Sequence, residues 1–228
     1  MILNIETSSK ICSVAVSNKG ENYFSLESEA EMDHATKLAP FVERCMQQLN
    51  LHQQKLDAVA VSMGPGSYTG LRIGLSLAKG LCFGLNIPLI GVPTLEIMVV
   101  KAMFGLKNSE GDELFIPMID ARRNEVYTAV YNSRLEILMP PKAMILNEDS
   151  FSEFSKNKLI MIGDGVPKAK ALIKVPVCEW IESMPLASDM NLLSERDFKG
   201  GNFIDIAYST PFYLKNFQAT TPKKVLIY

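Results

Sequence analysis

Residues 62–74 read Ser62-Met-Gly-Pro-Gly-Ser-Tyr-Thr-Gly-Leu-Arg-Ile-Gly74. The apolar run 58–62 predicts a short buried strand, and Gly64 and Gly66 predict a tight turn after it. Ser67 is a good helix cap, so a helix is predicted over 67–84. A strand, a glycine turn and a helix in this order are typical of an α/β protein.

The chain before this unit predicts a meander of strands followed by a helix. Apolar runs at 2–6 and 11–17 predict two strands, and a third is expected at 22–28. Apolar residues recur at helical spacing over 34–49, which predicts a helix there. A strand at 87–91 and a helix from Thr94 are predicted to follow the unit.

After a loop rich in Gly, Asn, Ser and Asp at 105–112, the same succession of elements begins again. It comprises strands at 114–121, 125–131 and 135–139, a helix after Asn147, a strand at 159–162 and a helix from Pro167. A last helix, 187–200, is expected to return to the first half. The repeated order predicts an α/β actin-like (ribonuclease H-like, ASKHA) fold of two similar domains, each with a mixed sheet flanked by helices. The expected domains are 1–106 plus 190–228, and 107–189.

Composition limits the classes of function. The formal net charge is −2, and 47% of the 228 residues are apolar, which fits a globular protein. Proteins that grip RNA alone usually present a basic face, because phosphate neutralisation supplies most of that affinity. Any RNA contact is therefore expected only through a complex. The most apolar stretch, 80–100, is interrupted by prolines and polar residues, so no membrane span is predicted.

A reducing, cytoplasmic compartment is expected from four widely spaced cysteines without a CxxC pair: Cys12, Cys45, Cys82 and Cys178.

The glycine turn is a candidate anion site, because free N–H groups and the helix dipole attract anions at a helix amino terminus. The plainer interpretation is that its glycines only permit the turn. The spacing matches neither a Walker loop nor the dinucleotide fingerprint. The candidate nucleotide or anion contacts are Glu6, Gly64, Gly66, Ser67 and Arg72.

The helix after the turn carries more apolar surface than one sheet can cover. Gly70, Gly74 and Ala78 repeat every four residues and leave one flank nearly bare. Small and apolar residues span an arc of about 220°, whereas a core-facing helix needs little more than about 100°. The excess is covered either by another helix of the chain or by another subunit, and the spacing favours neither. The candidate partner-interface residues are Leu38, Val42, Cys45, Gly70, Leu71, Gly74, Leu75 and Ala78.

Residues 64–74 resemble the hallmark of the bacterial TsaB (YeaZ) family. Ile119-Asp-Ala-Arg-Arg-Asn-Glu-Val-Tyr127 is similar to that family's second-domain hairpin, and Pro211-Phe-Tyr-Leu-Lys215 to its carboxy-terminal motif. Glu6 stands where aspartate is commoner in the family.

The resemblance implies an actin-like fold and a non-catalytic scaffold or activating role beside the catalytic subunit TsaD and the ATPase TsaE. That assembly transfers threonylcarbamoyl to the adenosine next to the anticodon of tRNAs reading codons that begin with A. The family contact with TsaD, or with a second copy in a homodimer when TsaD is absent, corresponds here to helices 34–49 and 67–84.

The residue types also argue against chemistry by this chain alone. The catalytic relative binds a metal through two histidines one helical turn apart. Here Leu38 takes the place of the second histidine after His34, and the other histidine is His52, so no metal site is expected. Glu6, Asp120 and Asp164 remain as candidate magnesium carboxylates, although no glycine follows Glu6.

An autonomous actin-like ATPase or sugar kinase is the alternative function. No tightly bound cofactor is expected. ATP or ADP with Mg²⁺ is expected at most at a cleft shared with the partner.

Overall fold

The computed structural model describes residues 1–28, 33–106, 111–177 and 179–215. Cys178, residues 107–110 of the predicted interdomain loop and the end of the chain from 216 lie outside the described residues. Within them the strands form two five-stranded mixed sheets.

The first sheet has the order β3-β2-β1-β4-β5, with β1 antiparallel to β2 and parallel to β4. Its strands are β1 (Ile2–Glu6), β2 (Ser13–Asn18), β3 (Glu21–Glu27), β4 (Ala58–Ser62) and β5 (Leu89–Val92). Its helices are α1 (His34–Leu51), α2 (Tyr68–Leu85) and α3 (Thr94–Gly105).

The second sheet repeats this topology as β8-β7-β6-β9-β10, with β6 antiparallel to β7 and parallel to β9. Its strands are β6 (Glu113–Asp120), β7 (Glu125–Asn132), β8 (Ile137–Ile145), β9 (Lys158–Ile162) and β10 (Glu179–Ile181). Helices α4 (Val166–Leu172) and α5 (Asn191–Gly200) follow, with 3₁₀ turns at Ser152–Phe154 and Ala187–Met190. The duplicated order confirms the predicted actin-like fold, while the residue bounds of the two domains stay a prediction.

Three elements of the second half differ from the prediction, and one is the strand expected at 135–139, which runs over Ile137–Ile145. The helix expected after Asn147 is wrong, because the Asn147 side chain accepts a hydrogen bond from the Asp149 N–H at 3.0 Å and forms a turn instead. Phe151 then adopts a left-handed φ of 67°, and only one 3₁₀ turn follows. Strand β10 was not predicted, because three residues are too short to show a periodicity.

Four apolar clusters hold the layers together. Two lie between the sheets, one on each side of α3, and two lie on the outer faces of the sheets. One face of the first sheet packs on α1 and α2, and its other face packs on α3 and α5. The far side of α3 packs on the second sheet, whose outer face is covered by α4. Helix α5 therefore returns to the first sheet, as predicted. Among the described residues, no helix is both long and apolar enough to cross a membrane.

Helix α2 lies directly on the turn that follows β1, and two glycines make this possible. A Cβ added at Gly70 would lie well inside 3.0 Å of the Thr7 carbonyl oxygen, and one at Gly74 equally close to the Thr7 hydroxyl. By contrast, a Cβ at Gly80 on the same helix would meet nothing within 4 Å. The bare flank of α2 is thus filled by the chain's own β1–β2 turn.

This packing predicts opposite effects for the same substitution at two positions of one helix. Gly70→Ala should lower the free energy of unfolding by about 1–3 kcal/mol, because the methyl group meets backbone that cannot yield. Gly80→Ala should raise it by about 0.5–1 kcal/mol through the helix preference of alanine. Urea denaturation of the two variants checks both values. Equal effects at the two positions would contradict the packing described here.

Candidate functional site: the sealed turn and the open helix face

Glu6 ends β1 at the place where an actin-like nucleotide site needs a carboxylate, but its side chain is 0% exposed. One carboxyl oxygen, Oε1, accepts a hydrogen bond from the Ser8 N–H at 2.5 Å. The other, Oε2, has no hydrogen-bond partner. Burial raises the pKa of Glu6 to about 7, and the bonds from Ser8 and Ser62 only partly offset it. Glu6 is therefore sealed from any ligand in solvent.

The amino terminus of α2 is occupied by the same β1–β2 turn. The Ser67 N–H donates to the Ser8 carbonyl at 2.7 Å, and the Ser67 hydroxyl accepts from the Gly70 N–H at 3.2 Å. A Cβ at Gly66 would already collide with the Ser8 carbonyl. On this side of the loop, the Gly66 backbone therefore lies directly against Ser8. The anion contact at Glu6, Gly64, Gly66 and Ser67 stays a prediction, and in this structure their neighbour is the β1–β2 turn.

His34 is held by the same turn from the other side. The side chain is 6% exposed and makes hydrogen bonds to the backbone of Ser9 and Ile11, while its Nε2 has no partner. Burial lowers the pKa of His34, so the neutral imidazole is favoured. One turn further along α1, Leu38 is buried. His34 acts here as a packing residue at the helix start.

The other two candidate carboxylates, Asp120 and Asp164, lie at the corresponding edge of the second sheet. Both already have hydrogen-bond or ion-pair partners within the chain. Asp164 accepts from the Asp120 N–H at 2.9 Å, and burial raises the pKa of Asp164. Asp120 pairs with Lys168 at 2.8 Å and accepts from the Arg122 N–H at 2.6 Å. Among the described residues, no group of three or more His, Cys, Asp and Glu side chains lies together as a ligand set.

The polar side of α2 is partly covered by the carboxy-terminal strap, which we define as residues 203–215. Lys79 donates to the carbonyls of Ala207 and Ser209 at 3.1 and 2.8 Å. Arg72 stacks over the Tyr68 ring at 4.2 Å and donates to the Tyr213 hydroxyl at 3.2 Å. Arg72, a predicted anion contact, therefore serves to hold the strap. Sequence reasoning missed this role, although the motif at 211–215 contains Tyr213.

The strap begins on the first sheet and ends on the second. The Ile204 N–H donates to the Leu89 carbonyl at 2.8 Å, and the Phe212 N–H donates to the Met63 carbonyl at 2.7 Å. Lys215 then forms an ion pair with Glu125 at the start of β7. The strap thus links both halves of the molecule.

A cavity of about 210 Å³ lies under the strap, with mostly apolar walls. Its carboxylate, Glu96, is already paired with Arg196 at 2.6 Å. The lining contains no cation for a phosphate, so the cavity does not fit a nucleotide. It is lined by Met63, Gly64, Pro93, Glu96, Tyr131, Leu135, Ile137, Pro141 and Phe212.

The predicted partner-interface residues face inward. The whole set is buried in the chain itself, against the first sheet and the β1–β2 turn, so its members offer no surface to a partner: Leu38, Val42, Cys45, Gly70, Leu71, Gly74, Leu75 and Ala78. The assignment of these residues to a partner interface stays a prediction, and the exposed positions of α2 are different ones. The wide apolar arc was expected to be covered either within the chain or by another subunit. For this flank, the chain itself provides the cover.

The rest of that arc is the open face, which we define as Thr69, Ile73, Ser76, Leu77, Gly80, Leu81 and Gly84. At about 100° per residue these positions form one strip beside the buried flank. The aliphatic members are only partly buried, and no atom lies within 4 Å of the Cβ positions at Gly80 and Gly84. Two side-chain-free sites between apolar neighbours allow another helix to approach closely.

Comparison with known proteins agrees with this architecture. The family model described as "TsaD: tRNA N6-adenosine threonylcarbamoyltransferase" matches residues 27–209. A Buchnera aphidicola (Schizaphis graminum) protein named tRNA threonylcarbamoyladenosine biosynthesis protein TsaB is 33% identical over 75% of this chain and 81% of its own length. This chain belongs to the TsaD family, in its TsaB (YeaZ) branch.

Further members extend the match along the chain. The Escherichia coli protein of the same name is 28% identical over 94% of both chains, whereas the match to the Haemophilus influenzae one, at 36% identity, covers 55% of this chain and about half (51%) of that protein. The solved structure titled "YeaZ from Pseudomonas aeruginosa" has a TM-score of 0.72 at 26% identity, over 93% of this chain and 99% of that one.

The buried Glu6 predicts a specific pH dependence of stability. Its pKa is about 7 in the folded state against 4.5 when exposed, so the unfolded state loses this proton first as the pH rises. Wild-type stability should therefore fall relative to Glu6→Gln between about pH 4.5 and 7, by on the order of 3 kcal/mol, and the gap should stay constant above pH 7. Glutamine keeps the acceptor for the Ser8 N–H. Denaturant unfolding of both proteins from pH 4 to 8 checks this, and parallel curves would show that Glu6 is not the titrating group.

Proposed function

We propose that the chain is a non-catalytic subunit of the machinery that adds threonylcarbamoyl to the adenosine next to the anticodon of tRNAs reading codons that begin with A. In this proposal it binds the catalytic subunit TsaD, and TsaE joins them. The names of its curated relatives, which refer to tRNA threonylcarbamoyladenosine biosynthesis, support the pathway.

The burial and the hydrogen bonds of the candidate catalytic side chains support the proposal that this chain is not catalytic. Glu6 is fully buried at the end of β1, and His34 is tied to the backbone of the β1–β2 turn. Asp120 and Asp164 are engaged by Lys168 and by backbone N–H groups. A ligand could reach the Glu6 carboxyl only after the residues packed around it had moved. A nucleotide held at a cleft that the partner completes stays a prediction.

Docking is supported by one observation above the others, the open face of α2. This face combines apolar side chains with the unobstructed Gly80 and Gly84, and the other flank of the same helix packs against the sheet. Phe83, just outside the open face, is 83% exposed. An apolar strip with bare backbone fits a second helix, and we propose that TsaD supplies it. A second copy of this chain would use the same face when TsaD is absent.

The proposal is tested by placing a long charged side chain on the open face. Gly80→Arg should fold with an unchanged or higher Tm, because nothing lies within 4 Å of the new Cβ and arginine favours helix more than glycine does. It should nevertheless lose binding to the organism's own TsaD, self-association, and formation of threonylcarbamoyladenosine on tRNA in the reconstituted system.

Gly105→Arg is the matched control, since Gly105 is also a helical glycine, at the end of α3, and has no atom within 4 Å of its Cβ position. It should retain binding and tRNA modification. If Gly80→Arg still binds TsaD with wild-type affinity, the docking assignment is wrong. If the wild-type chain neither binds TsaD nor supports modification, the proposed function itself fails.

A further inference from the structure

The β6–β7 turn presents two adjacent arginines in a backbone conformation that arginine disfavours. Arg122 has φ 69° and Arg123 has φ 51°, both in the left-handed region. Five other non-glycine residues of the described chain have positive φ, and none of them is adjacent to another. L-residues pay for this conformation, and an Asn-Gly pair forms such a turn with less strain.

The turn is fixed by backbone bonds that leave both arginine side chains outside. The Ala121 N–H donates to the Glu125 carbonyl at 3.0 Å, and the Glu125 N–H donates to the Arg122 carbonyl at 3.2 Å. The turn residues Arg122 and Arg123 are exposed. Hence neither guanidinium is needed to close the turn or to fill the core.

The two carboxylates that flank the turn in the sequence are already paired with lysines. Asp120 pairs with Lys168 at 2.8 Å, and Glu125 pairs with Lys215 of the strap. Within the described parts of the chain, no carboxylate pairs with the guanidinium of Arg122 or Arg123. The tip of the hairpin therefore carries two uncompensated positive charges on a chain whose formal net charge is −2.

We propose that this hairpin tip, Arg122 and Arg123, contacts the phosphodiester backbone of the tRNA within the assembled complex. The inference rests on the proposed function. Strained residues kept on a fixed turn point to a role for their side chains, and the guanidinium fork matches phosphate oxygens. Two charges are too few to hold RNA alone, which agrees with binding only in the complex.

The test measures tRNA affinity against salt for the complex with TsaD and TsaE. An unmodified transcript of a tRNA reading codons that begin with A is titrated at several salt concentrations. Each lost phosphate contact should reduce the slope of log K against log [salt] by about 1, so Arg122→Gly/Arg123→Gly should reduce it by about 2. Glycine suits both φ values, so the Tm of this variant should stay equal or rise.

Two further variants sharpen the comparison. Arg122→Lys/Arg123→Lys keeps both charges and should retain most of the slope. Arg134→Ala removes the same charge from the exposed β7–β8 turn, at the opposite end of the strand, and should leave the slope at its wild-type value.

An unchanged slope for the glycine variant would overturn the inference. So would weaker TsaD binding combined with a normal tRNA affinity of the complex at saturating subunit concentrations, because the arginines would then pair with protein carboxylates. A wild-type chain that forms no complex with TsaD contradicts the proposed function, and this inference with it.

Discussion

The contact between α2 and the turn after β1 determines most of what this molecule can do. Gly70 and Gly74 bring the helix backbone against Thr7, and Gly66 brings the preceding loop against Ser8. This approach fills the space beside Thr7 and uses the Ser67 and Gly70 N–H groups internally. The same contact fixes the rotation of α2, so that Gly80 and Gly84 face outward.

The two sheets and the strap form a scaffold. Its candidate catalytic groups are buried or paired, and the exposed surfaces of α2 and of the β6–β7 turn face solvent. Helix α3 packs between the two sheets, and the strap ties α2 to the start of β7 through Lys79, Arg72 and Lys215. The groups that an actin-like enzyme would use are engaged inside the chain. The open face of α2 and the hairpin tip at Arg122 and Arg123 are presented outward on well-fixed elements.

The sequence predicted the order of elements well, because strand runs, glycine turns and helical spacing are local signals. Where a local competitor existed the prediction failed, as at Asn147, whose side chain forms a turn in place of a helix. The three-residue β10 depends on pairing with β9, a contact that no local pattern records.

The candidate site was predicted only in part, for a physical reason. The spacing of Gly70, Gly74 and Ala78 correctly indicates close approach, but it cannot say what approaches. The neighbour of Gly70 and Gly74 is Thr7, far away in the chain, and no local pattern records that contact. In the same way, the Arg72 side chain alone gave no sign that its partner is Tyr213 in the strap.

The most direct test of the central claim is calorimetric titration of the isolated chain with Mg²⁺ and ATP, accompanied by hydrogen exchange at the β1–β2 turn. The sealed turn predicts no measurable binding heat and strong protection of the Ser67 and Gly70 amides, unchanged by nucleotide. Magnesium-dependent binding that Glu6→Gln abolishes, with loss of that protection, would contradict the account and restore an autonomous actin-like enzyme.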